Sequence, residues 1–315
     1  MKEKGKQRKK QNWNDLAIFF ILLVLIVILA IIRPVFLTPN NILNIMRQVS
    51  VVAIIGIGMS YVLISAEIDL SVGSLAALAG IAATMALKSG MGMGISMTLA
   101  VVITVFCGLV NGAIHTFVKI PSFIVTMGML NIARGIVLVM TNSYPVTGLP
   151  DSFKMLGRGY IGFVPIPVVV MVVCYVAGYF VLKYTKFGRS IYAIGGNIEA
   201  ARLSGIPVSR NKVLIHTISG LTAGIAGVVL ASRLFSGQPS AGNGLELDAI
   251  AACVIGGTST AGGVGRLWGT LLGALIMGII TNGMNLMNIS TNWQLIIQGI
   301  IIIVAVGLDR IKSSN

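Results

Sequence analysis

Only nine of the 315 residues are Asp or Glu, so the position of each carboxylate carries information. Glu67 and Asp69 lie in Ile64-Ser-Ala-Glu-Ile-Asp-Leu-Ser-Val-Gly-Ser74, wedged between two apolar runs, and Glu246 and Asp248 open another. An ionised carboxylate near the middle of a bilayer costs about 2.5 kcal/mol or more, so it normally faces a cavity or a partner. Two roles suit Asp69. It can cap a helix that starts near Ser71, with Ser71 and Ser74 serving the first-turn amides. It can also stand on a polar path where a helix is interrupted, and one residue can do both. A proton relay is disfavoured, because no His or Lys stands beside these carboxylates in sequence.

Other reactive constellations are missing from the chain. No Gly-x-x-x-x-Gly-Lys-Ser/Thr phosphate loop occurs; the one Gly-Lys pair, Gly5-Lys6, is followed by Gln7 in a basic tail. There is no nucleophile elbow and no His-Glu-x-x-His helix. His115 and His216 each sit near the end of an apolar run with no ligand set close in sequence, and His216 reads as an interfacial or helix-packing residue, since metal sites need three or four ligands. Cys107, Cys174 and Cys253 lie inside apolar runs and read as small buried hydrophobes. Neither metal nor cofactor is expected in this chain.

The elements that must hold these residues are membrane helices. Hydrophobic residues make up 56% of the chain, charged residues 10%, and the mean hydropathy is +0.93. A soluble domain needs a charged shell of roughly a quarter of its residues. Apolar stretches run from Leu16 to Ile32, Val49 to Ala66, Leu70 to Leu87, Met91 to Val118, Ile120 to Ala133, Gly159 to Leu182, Val213 to Ser232, Ala249 to Gly265 and Leu267 to Leu308. The last is long enough for two spans, split near Met287 to Trp293, because about 20 helical residues cross a hydrocarbon core. The expected fold is therefore all-α, a polytopic membrane protein with about ten transmembrane helices.

Charge sets the orientation. The net charge of +14 forms no stripe interleaved with aromatics, so a nucleic-acid partner is not implied. Most of the 23 Lys and Arg fall on the side of the basic N-terminal tail, including Lys119, the group from Lys183 to Lys212, Arg266, Arg310 and Lys312. Arg33, Lys88, Lys154, Arg158 and Arg233 fall on the other side, and Arg47 and Arg134 are unplaced. The positive-inside rule puts both termini in the cytoplasm. Residues 1–15 then form a basic cytoplasmic tail, 16–309 one membrane domain and 310–315 a C-terminal cytoplasmic tail.

Glycine is abundant, with 38 residues. Gly108/Gly112, Gly220/Gly224 and Gly269/Gly273 have the four-residue spacing of close helix packing. Gly56, Gly58, Gly73, Gly80 and the doublets Gly256-Gly257 and Gly262-Gly263 read as interruptions, and irregular backbone at membrane depth survives only where protein or water covers it. The interior loop 184–212 is too polar to span. In it Asn197 is an N-cap, Glu199 sits in the first turn, Ala200, Ala201 and Leu203 favour helix, and Gly205 with Pro207 stops it. A capped helix of about two turns at the cytoplasmic face suits a docking partner.

At these residues the chain resembles the membrane permeases of ribose-type ABC sugar importers, which serve ribose, xylose, galactose and autoinducer-2. The resemblance runs from about Phe36 to Asp309 and rests on Ile68 to Ser74, Pro121-Ser-Phe-Ile-Val-Thr126 with Arg134-Gly135, Gly188-Arg189 to Ile206, and Leu247 to Gly257 with Gly262-Gly263. It implies a type II importer permease fold in the cytoplasmic membrane of a bacterium. A second permease copy or a related permease, ABC ATPase subunits that bind the ATP, and an extracytoplasmic sugar-binding protein are the implied partners. It further implies that Gly188, Arg189, Tyr192, Gly195, Gly196, Asn197, Glu199, Ala200, Ala201, Arg202 and Gly205 belong to the loop that docks on the ATPase. The translocation path is assigned by region to Glu67, Asp69, Ser71, Gly73, Ser74, Thr126, Asn131, Asp248, Gly256 and Gly257. Further polar candidates for a neutral solute are Ser60, Ser65, Thr258, Ser259, Asn282 and Asn285, which can equally bond helix to helix. One departure stands in the motif: Ala66-Glu67 occupies the place where the family often has a Gly pair. Permeases for nucleosides or branched-chain amino acids share the architecture, whereas a secondary transporter would use coupled ions and need no docking loop, and a membrane-embedded enzyme would require a reactive constellation within the bilayer.

Overall fold

The apolar stretches become helices because, in lipid, every backbone amide and carbonyl has to be satisfied within its own segment. A computed structural model describes residues 18–313; the N-terminal tail lies outside them. The helices are α1 (Ile18–Ile32), α2 (Pro39–Ile64), α3 (Val72–Lys88), α4 (Met93–Ala113), α5 (Ser122–Thr141), α6 (Asp151–Arg158), α7 (Ile166–Tyr184), α8 (Lys186–Gly196), α9 (Ile198–Leu203), α10 (Val208–Leu234), α11 (Leu245–Ile255), α12 (Leu267–Leu286) and α13 (Thr291–Ser313). A 3-10 turn, Pro34–Leu37, leads into α2, and α4 widens into one π turn, Ile114–Val118. A short antiparallel hairpin, β1 (Tyr160–Ile161) with β2 (Val164–Pro165), separates α6 from α7.

Among the described residues, 7 helices are long and apolar enough to cross a membrane: α2, α4 with its π turn, α5, α7, α10, α12 and α13. The other apolar stretches hold α1, α3 and α11, so each expected span carries a helix. The third of these has 11 residues, about 16 Å of helix against a hydrocarbon core about 30 Å thick.

Burial separates two layers. Helices α2, α3, α10, α11 and α12 form the packed interior, with α2 continuously buried from Val49 to Ile64. Helices α4, α5, α7 and α13 turn most of their apolar surface outward, as lipid-facing helices do. At the α4–α10 contact, a Cβ added to Gly220 would lie 2.3 Å from the Thr104 carbonyl, and one added to Gly108 would lie 2.4 Å from that of His216. The four-residue glycine spacing thus marks backbones in near contact.

Several expectations about element boundaries are corrected. The second helix starts at Pro39, ten residues before its apolar run, because proline fits a first helical turn and polar residues from Asn40 to Gln48 are tolerated where the helix leaves the core. Gly56 and Gly58 do not interrupt α2, nor Gly73 and Gly80 α3; they are packing sites, Gly58 lying against Ser219 and Thr222 of α10. The real interruptions are residues 65–71 and 256–266. Helix α13 continues to Ser313, so residues 310–313 are helical rather than a departing tail. Two amphipathic surface helices, α6 and α8, were not foreseen.

Packing at Gly220 makes a direct test. Gly220→Leu forces bulk into a closed backbone contact, and the detergent-solubilised protein should lose roughly 1–3 kcal/mol of stability. Gly299→Ala in α13 meets open space and should raise it by about 0.5–1 kcal/mol through helix propensity. Thermal unfolding of both variants checks the pair; equal effects would contradict the layer assignment.

Candidate functional site

The interruption after α2 begins as a helix terminus of a familiar kind. Glu67 N–H donates to the Val62 carbonyl at 3.0 Å and Ala66 N–H to that of Leu63 at 2.9 Å, with Ala66 in the left-handed region at φ 62°. This is the Schellman closure, whose left-handed position usually belongs to glycine. The departure from a Gly pair is thereby explained in part: Ala66 accepts a strained conformation, and the next residue is freed to carry a side chain.

That side chain enters a buried polar cluster. Glu67 Oε1 lies 2.8 Å from His115 Nε2 and 2.7 Å from Lys212 Nζ, while Oε2 lies 2.9 Å from His216 Nε2. His216 Nδ1 is 3.7 Å from Asp69 Oδ2 and has no hydrogen-bond partner. Asp69 Oδ2 accepts from Ser219 Oγ at 2.7 Å; its Oδ1 accepts from Ser71 N–H at 2.9 Å and Ser71 Oγ at 2.6 Å. Asn111 Nδ2 donates to Ser71 Oγ at 3.1 Å. Asp69 and His216 are fully buried and Glu67 is 5% exposed. Asp69 therefore stands just ahead of α3, where a negative charge is favoured, and holds the N-cap residue Ser71 by its N–H and hydroxyl, while Ser71 makes no side-chain cap bond to the first turn. Ser74 is also buried, one turn further on.

His216, expected as an interfacial or helix-packing residue, is fully buried between Glu67 and Asp69, and His115 joins it at Glu67. Lys212 and His216 are four residues apart on α10 with Ser219 one turn beyond, so all three present the same face to the interruption. The π turn of α4 lets His115 Nδ1 reach the Ile120 carbonyl at 2.7 Å while Nε2 faces Glu67. The spacing 212, 216, 219 was the available signal on α10. The pairing with Glu67 had none, since 48 and 149 residues separate the partners. Among the described residues no group of His, Cys, Asp and Glu has the arrangement of a metal site.

From the other side α5 holds the same segment. Ser122 Oγ accepts from Ile68 N–H at 3.3 Å and Thr126 Oγ1 from Leu70 N–H at 3.2 Å. Asn131 is elsewhere, exposed on α5 and bonded to the Met127 carbonyl. Gly73 faces a second carboxylate group: a Cβ there would lie 2.1 Å from Glu246 Oε2. Asp248, one turn along α11, has a buried Oδ1 with no hydrogen-bond partner, and Arg134 binds the nearby loop through the carbonyls of Pro239 at 2.5 Å and Ala241 at 2.9 Å. The acidic residues thus form two groups rather than one path. Gly256 packs on the Gly269 backbone, and Gly257 adopts φ 85° in the turn that ends α11. Of the other polar candidates, Ser60 bonds Thr270 at 2.7 Å and Asn282 pairs with Asn41 at 2.9 Å, so these join helix to helix.

The interior loop is two helices. Thr185 Oγ1 caps α8 by accepting from Gly188 N–H, and Asn197 Oδ1 caps α9 by accepting from Ala200 N–H at 2.9 Å. Arg189, Gly196, Asn197, Glu199, Ala200, Arg202 and Gly205 are exposed, with an ion pair between Glu199 and Arg202 at 3.0 Å, and Ala201 is buried beneath them. Leu203 is 88% exposed. The opposite face of α8 is pressed into the fold. A Cβ on Gly195 would lie 1.7 Å from the Ile64 carbonyl, which itself accepts from Gly263 N–H at 2.8 Å. Tyr192 donates from its hydroxyl to the Gly265 carbonyl at 2.9 Å, and burial raises its phenol pKa, keeping it a neutral donor. Both interruptions therefore meet α8 at the end of α2.

Residues 41–306 match a family described as the branched-chain amino acid transport system permease component. The chain is 45% identical over 298 residues to a ribose import permease protein of Bacillus subtilis, covering 94% of this chain and 92% of that one. It is 43% identical over 295 residues to a ribose import permease protein of Escherichia coli, covering 92% of each. To a xylose transport system permease protein of Haemophilus influenzae it is 36% identical over 361 aligned positions, covering 94% and 96%. No solved structure matches the chain.

The cluster's energetics can be measured in detergent. Ala66→Gly relieves a left-handed alanine and should stabilise the protein by roughly 1 kcal/mol. His216→Ala leaves two buried carboxylates facing one another and should destabilise it by roughly 3–5 kcal/mol. Thermal unfolding reads both. A neutral His216→Ala would mean that the ring is not the counter-charge of this site.

Proposed function

Since this chain belongs to the ribose-type ABC sugar permeases, we propose that it is the membrane-spanning subunit through which ribose, or a monosaccharide close to it, enters the cell. The observation that carries the mechanism is the meeting of α8, residues 256–266 and the end of α2 around the Ile64 carbonyl. A partner that moves α8 and α9 also moves the ends of both interrupted segments.

The energy comes from ATP bound by partner ATPase subunits. Their contact is the exposed face of α9, where Leu203 supplies an apolar anchor beside the Glu199–Arg202 pair. Closure of the ATPase dimer shifts this helix pair, and the segments near Asp69 and Gly257 open or close the path. The sugar arrives at the outer face from a binding protein. A second copy of the chain completes the path, and the chain itself catalyses no reaction. It is a multi-pass membrane protein, oriented with Lys183, Lys186, Arg189, Arg202 and Arg210 in the cytoplasm. Arg47, which bonds Tyr160, lies with Arg158 and Arg233 at the opposite end.

The test is uptake by proteoliposomes containing this chain with its ATPase. Labelled ribose should accumulate only with ATP inside and loaded binding protein outside, and excess unlabelled nucleoside or leucine should not compete. Accumulation driven by an ion gradient alone would contradict the proposal. At the docking face, Leu203→Asp should weaken ATPase binding by about 10- to 100-fold, the effect of losing one anchor residue. Co-purification of the subunits at unchanged affinity would place the contact elsewhere.

A further inference from the structure

Glu67 belongs to neither α2 nor α3, yet it is bound by side chains from two other helices. Lys212 and His216 lie about 6 Å and 12 Å along α10 from its first residue, and α10 begins only five residues after α9 ends. His115 comes from the end of α4. One carboxylate therefore receives three nitrogen groups, at 2.7, 2.8 and 2.9 Å, from two helices.

The charges define a joint rather than a channel wall. Lys212 and His216 face Glu67 and Asp69, and only a doubly protonated His216 ring can donate to both carboxylates. The ring is bound at 2.9 Å to one carboxylate and stands at 3.7 Å from the other. A shift of α10 by less than about 1 Å is enough to bring Nδ1 to Asp69 at hydrogen-bond distance. Side-chain exposure of Lys212 and His115 is 16% and 14%, against 4% for Glu67 and none for His216 and Asp69. The contacts are consequently shielded from water, and breaking one leaves a buried charge unmatched.

We propose that Glu67 is a positioning residue that transmits displacement of α9 and α10 to the Asp69 segment, with His216 as the member that exchanges between the two carboxylates. This rests on the reading of the chain as an ATP-driven permease. When the coupling helices move, α10 carries Lys212 and His216 with it, and Glu67 follows because its alternative is a dry, unpaired charge. Glu67 is covalently two residues from Asp69, so the start of α3 is displaced in the same step. Asp69 keeps its bonds to the N–H and hydroxyl of Ser71, which preserves the N-terminus of α3 as a rigid end, and its bond to Ser219 ties it to the same face of α10.

The complete importer in proteoliposomes supplies the test, with ATP hydrolysis and ribose uptake measured on the same preparation. Glu67→Gln keeps the shape and removes the charge. It should leave ATP hydrolysis within about twofold while ribose moved per ATP falls roughly tenfold, within the usual range of coupling energies. Glu67→Asp, which restores the charge on a shorter stem, should recover part of the ratio. An unchanged ratio in Glu67→Gln, or a parallel fall of hydrolysis and uptake, overturns the proposal. If Glu67→Gln does not assemble, Lys212→Met and His115→Gln are read by the same ratio, and failure of all three to assemble counts against transmission and for a purely structural cluster. Absence of ATP-driven uptake by the unaltered importer is a different result: it overturns the permease reading itself.

Discussion

A carboxylate taken out of water must find its counter-charge inside the protein, and at Glu67 that requirement organises the centre of the molecule. Moving such an ion into a dry interior costs several kcal/mol even after relaxation, and an unmatched one costs more. Lys212 and His216 meet it from α10 and His115 from the end of α4. Their convergence dictates where α10 and the end of α4 stand relative to the interruption. The π turn at Ile114–Val118 and the left-handed Ala66 are local distortions that this meeting demands.

Close glycine packing makes such a meeting possible. Helices whose backbones touch at Gly108 and Gly220 bring α4 and α10 near enough for His115 and His216 to stand 5.9 Å apart, ring to ring. The same device works at the end of α2, where Gly195 lets α8 lie directly on the Ile64 carbonyl. Loop 256–266 is tied in turn to the last helix, because Asp309 accepts from Thr260 N–H at 3.0 Å. Polar joints and bare backbone contacts thus alternate from the docking surface to the start of α3.

Much of this was legible before any coordinates. Apolar runs revealed the 7 helices long and apolar enough to cross a membrane, because lipid tolerates few alternatives, and the Asn197 cap was readable because its partner Ala200 is three residues away. Helix α8 was missed because Gly188, Gly195 and Gly196 disguise it; at Gly188 and Gly195 the absent side chain serves contacts with other segments, which local propensity does not register. Gly56 and Gly58 were misread as interruptions for the same reason. The partners of Glu67 lay far away in sequence, so the carboxylate advertised its need without disclosing who met it. Asp69 was legible as a carboxylate just before α3, and its bond to Ser219 was not.

In the proposed transmission α8 and α9, the start of α10 and the end of α4 move together around Glu67. Distances between spin labels test it, in a background lacking Cys107, Cys174 and Cys253. One pair joins Arg202→Cys on α9 to Lys119→Cys just beyond the π turn; the other joins Arg202→Cys to Phe163→Cys at the outer hairpin. Between the ATP-free and the transition-state-trapped importer, the first distance should stay constant while the second changes by more than about 2 Å, the scale of helix shifts in switching proteins. A first distance that changes as much as the second would contradict the claim, because α9 would then part from the end of α4 that Glu67 binds.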